Sequence, residues 1–262
     1  MVANVRFDLK EPENIEFHKK LSSYNTSVLS HLPNSSLGFS DSTTGSDILS
    51  IIENFLNINQ LCGAIIHIAL KRYPNSTDID TLASRIRQNH ATVNVVIPTS
   101  SSGGIHFQTM YNLASKTNGF ATIARDDGYE YAENVQNLFY FYPYLVYSAN
   151  ANASGSGSMA LADMALPARE FYYIEITVQD KGVLSTFETL HLNFTNPNDS
   201  YSLNSNDLIL YRAGNFLLFT VNMSSGKYTV SFDYSYLDSK AQTLQIRVLG
   251  TNPIDYWIPY AD

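Results

Sequence analysis

The chain has 262 residues, of which 44% are hydrophobic and 15% are charged, a composition typical of a folded globular protein rather than a disordered one. Its length suits one large domain or two ordinary ones. Sixteen Lys and Arg residues against twenty-four Asp and Glu residues give a net charge of −8. Such an acidic chain is poorly suited to bind nucleic acid or an anionic membrane.

The predicted elements of the first half alternate between strands and helices, as apolar spacings of two and of three to four residues indicate. In chain order they are strands over 3–8 and 15–18, helices over 23–32 and 44–55, a strand over 62–70, a helix over 77–86, a strand over 92–97, a helix from 107 to a Gly119 C-cap, a strand over 120–124 and a helix over 129–141. The spacing of Thr44 and Asp47 predicts a capping box at the second helix.

This alternation predicts an α/β domain over residues 1–146, with a Rossmann-like, mostly parallel sheet and helices on both of its faces. The strand over 62–70 is a continuous apolar run, which is typical of a strand buried on both faces.

The pattern changes around residue 147. Residues 147–159 are rich in Ala, Ser, Gly and Asn and predict a linker. Residues 160–262 then show strands with one apolar and one polar face, which predict an antiparallel β-sandwich of Ig-like or jelly-roll type. Tyr228, Tyr234 and Tyr236 alternate in step with Val230 and so are expected to face the core rather than to form a sugar-stacking platform.

Three stretches carry a resemblance to a known family. Residues 37–49 resemble the Gly-rich loop that enters a helix in von Willebrand factor A domains, residues 63–70 the central strand, and residues 110–119 a late helix. On these stretches residues 3–144 resemble an A domain that lacks its first strand and first helix. The whole chain is similar to secreted nematode proteins of unknown function, in which an A-like domain precedes a β-sandwich.

The resemblance implies where a metal would bind. A domains hold a divalent cation with an Asp-x-Ser-x-Ser motif, a loop Thr and an Asp after the central strand. The motif is absent here, Ser42 matches the Thr, and Lys71 and Arg72 stand where the Asp would be. Because cations repel a metal ion, we predict a degenerate site without metal, and no cofactor. Ser42, Lys71 and Arg72 instead predict a site for an anion or for an acidic group of a partner.

Evidence on the compartment is divided. The single cysteine, Cys62, excludes an internal disulfide, and no signal peptide is visible in this chain, which indicates an intracellular protein. Seven Asn-x-Ser/Thr sequons favour a secreted one, although about four would arise by chance in such a composition. We expect most of them at loops or element ends; the possible N-glycosylation sites are Asn25, Asn34, Asn75, Asn152, Asn193, Asn198 and Asn222.

The sequence contains none of the common catalytic motifs, so we predict no catalytic residue. The first functional hypothesis is a non-enzymatic, extracellular, adhesion-type protein with an unknown protein or glycan ligand. The alternatives are a glycan-binding or host-defence effector that acts through the sandwich, and an enzyme of unrecognised type. The resemblance also predicts two unpaired sheet edges, which an upstream segment outside this chain, closure of the sheet, or another chain would fill.

Overall fold

The structure is a computed structural model that describes residues 1–58, 62–136, 141–179, 186–205 and 215–260. The elements of the N-terminal part are, in chain order, β1 (Val2–Asn4), β2 (Glu16–His18), α1 (Leu21–Ser30), α2 (Ile48–Leu56), β3 (Ile65–Ala69), α3 (Asp80–Gln88), β4 (Thr92–Pro98), α4 (Gln108–Lys116), β5 (Ala121–Ala124) and α5 (Tyr129–Gln136). The predicted helix over 129–141 continues into residues 137–140, which lie outside the described residues. No helix in the described part of the chain combines the length and apolar character needed to cross a membrane.

The predicted parallel sheet is confirmed in a smaller form. Strands β3, β4 and β5 form a three-stranded parallel sheet in that order, whereas β1 and β2 pair antiparallel in a sheet of their own. On one face of β4, Val93, Val95 and Ile97 are completely buried and share an apolar cluster with α2, α3 and α4.

The other face of this sheet is not covered by helices alone. There Val96 belongs to a cluster with Ala132 of α5 and with Tyr173, Leu218 and Leu249 of the C-terminal part. The prediction of helices on both faces is therefore corrected: α5 shares the second face with the C-terminal sandwich, whose apolar side chains pack there against β4 and β5.

Strand β3 differs from its prediction as a strand buried on both faces. Ile68 is 3% exposed, but Ile65 is 41% exposed and Ala69 is also exposed. Ile68 lies beside Val95 on the face that packs against α2, α3 and α4, whereas Ile65 and Ala69 lie on the opposite face, where the apolar cluster with the sandwich includes β4 and β5 but no residue of β3. Its apolar run therefore covers one face only.

The start of α2 also differs from its predicted capping box. The Asp47 carboxylate accepts a hydrogen bond from the backbone N–H of Asp8 (2.9 Å), and the Asp8 carboxylate accepts one from the N–H of Asp47 (3.0 Å). Burial raises the pKa of Asp8 to about 6. This exchange ties the segment after β1 to the start of α2.

The predicted antiparallel sandwich is confirmed. Its strands are β6 (Tyr144–Ala153), β7 (Ser156–Leu166), β8 (Glu170–Val178), β9 (Phe187–Thr195), β10 (Ser200–Asn204), β11 (Phe216–Met223), β12 (Gly226–Tyr236) and β13 (Gln242–Gly250). They form an inner sheet, β11-β8-β13-β6, which contacts the N-terminal part, and an outer sheet, β10-β9-β12-β7. Alternate residues of both sheets meet in one large apolar core.

Residues 147–159 are not a linker. They form the end of β6, a short turn and the start of β7. Ala149, Ala151 and Ala153 alternate along β6 and are at most 6% exposed, since they face the sandwich core. Small side chains on a paired strand thus produce the composition that predicted a linker. The division of the chain into domains at residues 146 and 160 stays a prediction.

The two parts meet across buried polar contacts. The Gln245 side-chain oxygen of β13 accepts a hydrogen bond from the N–H of Ala121 (2.8 Å), and its amide donates to the carbonyl of Tyr111 (3.2 Å). The Asn215 side chain accepts from the N–H of Ile123 (2.5 Å) and donates to the carbonyl of Ala121 (3.2 Å). Side chains of the sandwich therefore satisfy the outer edge of β5.

Candidate functional site

A cleft of about 430 Å³ opens where residues 251–260, which follow the last strand, cross the amino ends of β3 and β4. Its walls come from the starts of β3 and β4, the turn between α4 and β5, the start of β6, and the C-terminal segment. The lining residues are Gly63, Ile65, His90, Thr92, Asn118, Pro143, Tyr144, Leu145, Ile254, Asp255, Tyr256, Trp257, Ile258 and Tyr260.

Trp257, the single tryptophan of the chain, is the largest side chain in this cleft, and it is 57% exposed. One face of the indole stacks on the ring of His90, with centroids 4.4 Å apart and planes 3° from parallel. Gly63 lies beside the ring at a φ of +75°, and a Cβ there would stand 3.1 Å from a Trp257 ring carbon. Glycine supplies both the left-handed turn and the space for the indole.

The segment that carries Trp257 is anchored beyond it. The Asn118 side-chain amide donates to the carbonyls of Ile258 (3.2 Å) and Pro259 (3.1 Å). The Tyr260 hydroxyl donates to the carbonyl of Arg87 (3.3 Å), whose guanidinium lies 5.0 Å from the Tyr260 ring centroid. Burial raises the pKa of Tyr260, so its hydroxyl keeps the proton that it donates. These contacts hold the indole in place against His90.

The lining of the cleft carries one negative charge. Asp255 is the one carboxylate among the described lining residues, and Lys and Arg are absent from that lining. Two buried atoms of lining residues, His90 Nδ1 and Thr92 Oγ1, have no hydrogen-bond partner within the described ranges. A buried polar atom without a partner costs about 1–3 kcal/mol, so a bound hydroxyl or water that reached these atoms would be stabilised.

The predicted anion site lies at the opposite, carboxyl end of the sheet, and part of it has a structural role. Arg72 is 5% exposed, and its guanidinium donates to the carbonyls of Thr44 (2.8 Å) and Asp41 (2.8 Å). Ser42 is exposed, and its carbonyl accepts from the N–H of Gly104 (3.2 Å). Arg72 thus holds the loop that contains Ser42.

Lys71 points to a different partner. Its ammonium lies 2.8 Å from the Asp126 carboxylate and 4.5 Å from the Tyr129 ring centroid. The structure therefore brings Arg72, but not Lys71, to the loop that contains Ser42. The anion-binding role of the three residues stays a prediction. In the described part of the chain, no group of three or more His, Cys, Asp or Glu side chains is placed to hold a metal ion.

The predicted N-glycosylation sites are spread over the surface. Six of the seven asparagines are exposed and Asn193 is half-buried. Asn34, Asn75 and Asn198 lie in loops, whereas Asn25 lies in α1, Asn152 in β6, Asn193 in β9 and Asn222 in β11. Their glycosylation stays a prediction.

Sequence reasoning missed the cleft. A local signal did exist, because Trp257 stands between Tyr256 and Ile258 after the last predicted strand, where a terminal segment has no strand pattern to explain its aromatic residues. The partner of the indole, His90, could not be identified in this way, since it lies far away in the chain.

One family model covers most of the sandwich. Residues 149–251 match the model of a family described as a domain of unknown function, DUF7154. No curated protein matches the chain.

Several solved structures are similar to about two fifths of the chain. The C-terminal CBM6 of LamC, a marine laminarinase from Zobellia galactanivorans, is 14% identical, with 41% of this chain and 94% of that chain covered and a TM-score of 0.27. The carbohydrate-binding module CBM6cm-2 from Cellvibrio mixtus lichenase 5A is 13% identical, with 42% and 92% covered and a TM-score of 0.24. The A223 C-terminal domain, from a structural protein of Sulfolobus turreted icosahedral virus, is 16% identical, with 42% and 98% covered and a TM-score of 0.25. Likenesses at these scores support no conclusion about this chain.

Proposed function

We propose that this protein is a non-enzymatic binding protein that recognises a neutral glycan in the Trp257 cleft. The observation that carries the proposal is the exposed indole, fixed by its stacking on His90. Because one indole face lies against His90, its exposed surface is the opposite face and the edge. A rigid aromatic surface of this kind is a suitable platform for a flat ligand.

The chemistry of the lining favours a sugar among flat ligands. A pyranose ring has an apolar C–H face, which packs on aromatic rings, and hydroxyls, which need hydrogen-bond partners. The cleft offers Tyr144, Tyr256 and Trp257 for the first, and Asp255 for the second. The Asp255 carboxylate, with no Lys or Arg in the described lining, disfavours an anionic ligand, and the net charge of −8 supports a partner other than nucleic acid.

The sandwich itself offers a weaker platform for the glycan. Tyr228 is 0% exposed and Tyr236 is 4% exposed, and Tyr234 is half-buried. These rings are therefore occupied in packing, and the proposal places the glycan at the cleft rather than on this sandwich face.

The proposal extends to an extracellular, adhesion-type protein with a degenerate von Willebrand factor A-like domain and a jelly-roll sandwich. The sequons support an extracellular protein, and the order of elements in residues 3–144 supports the A-like domain. The pairing of the first sandwich strand, β6, with the last, β13, supports the jelly roll. Mass spectrometry of the protein from a secreting eukaryotic host, before and after enzymatic deglycosylation, tests whether the sequons carry sugar.

The single tryptophan makes the binding proposal directly testable. We expect a member of an array of neutral gluco-, manno-, galacto- and N-acetylglucosamine oligosaccharides to bind the full chain and to shift the Trp257 emission. Trp257→Ala should weaken binding of that glycan at least tenfold by calorimetry, while Trp257→Phe retains part of the affinity because it keeps an aromatic face.

The control is Phe171→Ala, which removes an aromatic ring that is 56% exposed on β8 and absent from the cleft lining. It should bind like the wild type. The glycan should also be recovered unchanged after incubation, as chromatography can establish. The proposal would be contradicted if the Trp257→Ala and wild-type proteins bound equally well, if no member of the array bound, or if the glycan were cleaved.

A further inference from the structure

Helix α1 packs on the two-stranded β1–β2 sheet with a polar residue inwards. The one residue of this helix that is buried is Ser27, whereas Leu21 and Leu29 are 63% and 70% exposed. Apolar burial is the usual source of stability when a helix docks, and it contributes less here than in an ordinary amphipathic helix. The docking of α1 therefore depends on its polar contacts.

Those contacts centre on the Glu16 carboxylate of β2. The Ser27 hydroxyl donates to Glu16 Oε2 (2.5 Å) and accepts from the Asn4 side-chain amide of β1 (3.0 Å). His18 Nε2 donates to the Asn4 side-chain oxygen (2.8 Å) and lies 3.8 Å from Glu16 Oε2. His31 directly follows α1, and its Nε2 lies 3.9 Å from Glu16 Oε1. Both strands and the end of the helix thus meet at one carboxylate.

The hydrogen bonds determine where His31 carries its first proton. Its Nδ1 lies 2.8 Å from the backbone carbonyl of Ser27, which can only accept, so Nδ1 is the donor. In the neutral ring Nε2 is then an acceptor beside the Glu16 carboxylate, and two acceptors do not attract each other. A second proton on Nε2 turns this contact into an ion pair. It also places a positive charge at the C-terminus of α1, where the helix dipole favours one.

The other charges around His31 leave this attraction in place. Glu13, in the segment before β2, is the second carboxylate that interacts with His31, and it is paired with Arg6. The Arg6 guanidinium also donates to the carbonyl of Leu32 (3.2 Å). Helix α1 itself contains no Asp, Glu, Lys or Arg. Two carboxylates and one permanent cation therefore surround the ring, and their sum is negative.

We propose that the docking of α1 on the β1–β2 sheet is a proton-dependent switch, which tightens when His31 takes up its second proton and loosens when His31 releases it. Histidine is the side chain that ordinarily changes its charge between pH 5 and pH 8, so the switch responds in that range. The response is local, because α1 contributes no residue to the three apolar clusters of the molecule.

Hydrogen exchange of the full chain at pH 5.5 and pH 8.0, corrected for the intrinsic effect of pH on exchange, tests the proposal. We expect the amides of α1 to be about fivefold better protected at pH 5.5, as for a partly exposed ion pair at a helix end. His31→Gln keeps a donor for the Ser27 carbonyl and takes up no charge. Its α1 protection should therefore be the same at both pH values and match that of the wild type at pH 8.0.

Glu16→Gln is an independent test, because it keeps an acceptor for the Ser27 hydroxyl and loses the negative charge. It should reduce the pH effect, whereas His191→Gln, at a half-buried histidine of β9 outside this cluster, should preserve it. His18→Gln should also preserve the effect, since His18 Nε2 is already a donor in its neutral ring. The proposal is overturned if the wild type shows no pH effect in α1, if His31→Gln or Glu16→Gln retains the full effect, or if His18→Gln abolishes it.

Discussion

Glu175 and Arg247 are ionisable residues on the face of the inner sheet that meets the N-terminal part, at cross-strand positions of β8 and β13. Arg247 is completely buried and donates to the carbonyls of Asn118 (3.0 Å), Gly119 (2.8 Å) and Ala149 (2.8 Å). Glu175 is 1% exposed, and neither of its carboxyl oxygens has a hydrogen-bond partner within the described residues. Burial raises the pKa of Glu175 well above its ordinary value, and the Arg247 charge offsets this only in part.

This pKa predicts how stability depends on pH. Glu175 holds a proton in the folded state that the unfolded chain releases above pH 4.5 or so, so the free energy of unfolding falls as the pH rises beyond that value. Glu175→Gln removes this titration, and we expect the variant to gain at least about 1 kcal/mol over the wild type at pH 7, with a smaller gain at pH 5. Urea unfolding at both pH values measures the difference. The exposed Glu188→Gln change on β9 serves as the control, and a gain that is independent of pH would contradict the argument.

At the scale of elements, the C-terminal segment packs its indole closely against Gly63. Gly63→Ala would place a methyl group 3.1 Å from the Trp257 ring at a φ of +75°. We expect a loss of about 1 kcal/mol from the backbone and a shift of the Trp257 emission as the indole moves. Gly155→Ala is a matched control, because its φ is +62° while the nearest atom lies 4.0 Å away. It should lose similar stability without changing the emission; an unchanged spectrum in Gly63→Ala would mean that this contact does not position the indole.

Local periodicity predicted most elements of the described chain, and the differences have physical causes. Ile65 and Ile68 belong to one apolar run, and only the packing around β3 decides that one is exposed and the other buried. Ala149 and Ala151 looked like linker residues because strand propensity is weak for alanine, and pairing with β13 overrides it. Asp47 has the spacing of a capping residue, but Asp8 competes for its carboxylate.

At the scale of the whole molecule, the junction at Gln245 should make the two parts unfold together. We expect one transition in calorimetry, with Trp257 fluorescence and far-UV circular dichroism changing at the same temperature. Gln245→Leu leaves the N–H of Ala121 buried without its partner and should lower the stability of the whole chain by about 1–3 kcal/mol. The exposed Thr195→Leu change on β9 should have little effect. Separate transitions in the wild type would show that the junction does not couple the parts.

The amino-acid sequence by itself determined the kinds of elements and their order, including a parallel α/β part followed by an antiparallel sandwich. It could do so because apolar spacing is a local property that reflects the period of a helix or a strand. Only the tertiary structure decided that Gln245 and Asn215 close the β5 edge and that Trp257 stacks on His90. Each of these joins residues far apart in the chain, whose meeting depends on how whole elements pack, and no local pattern encodes that.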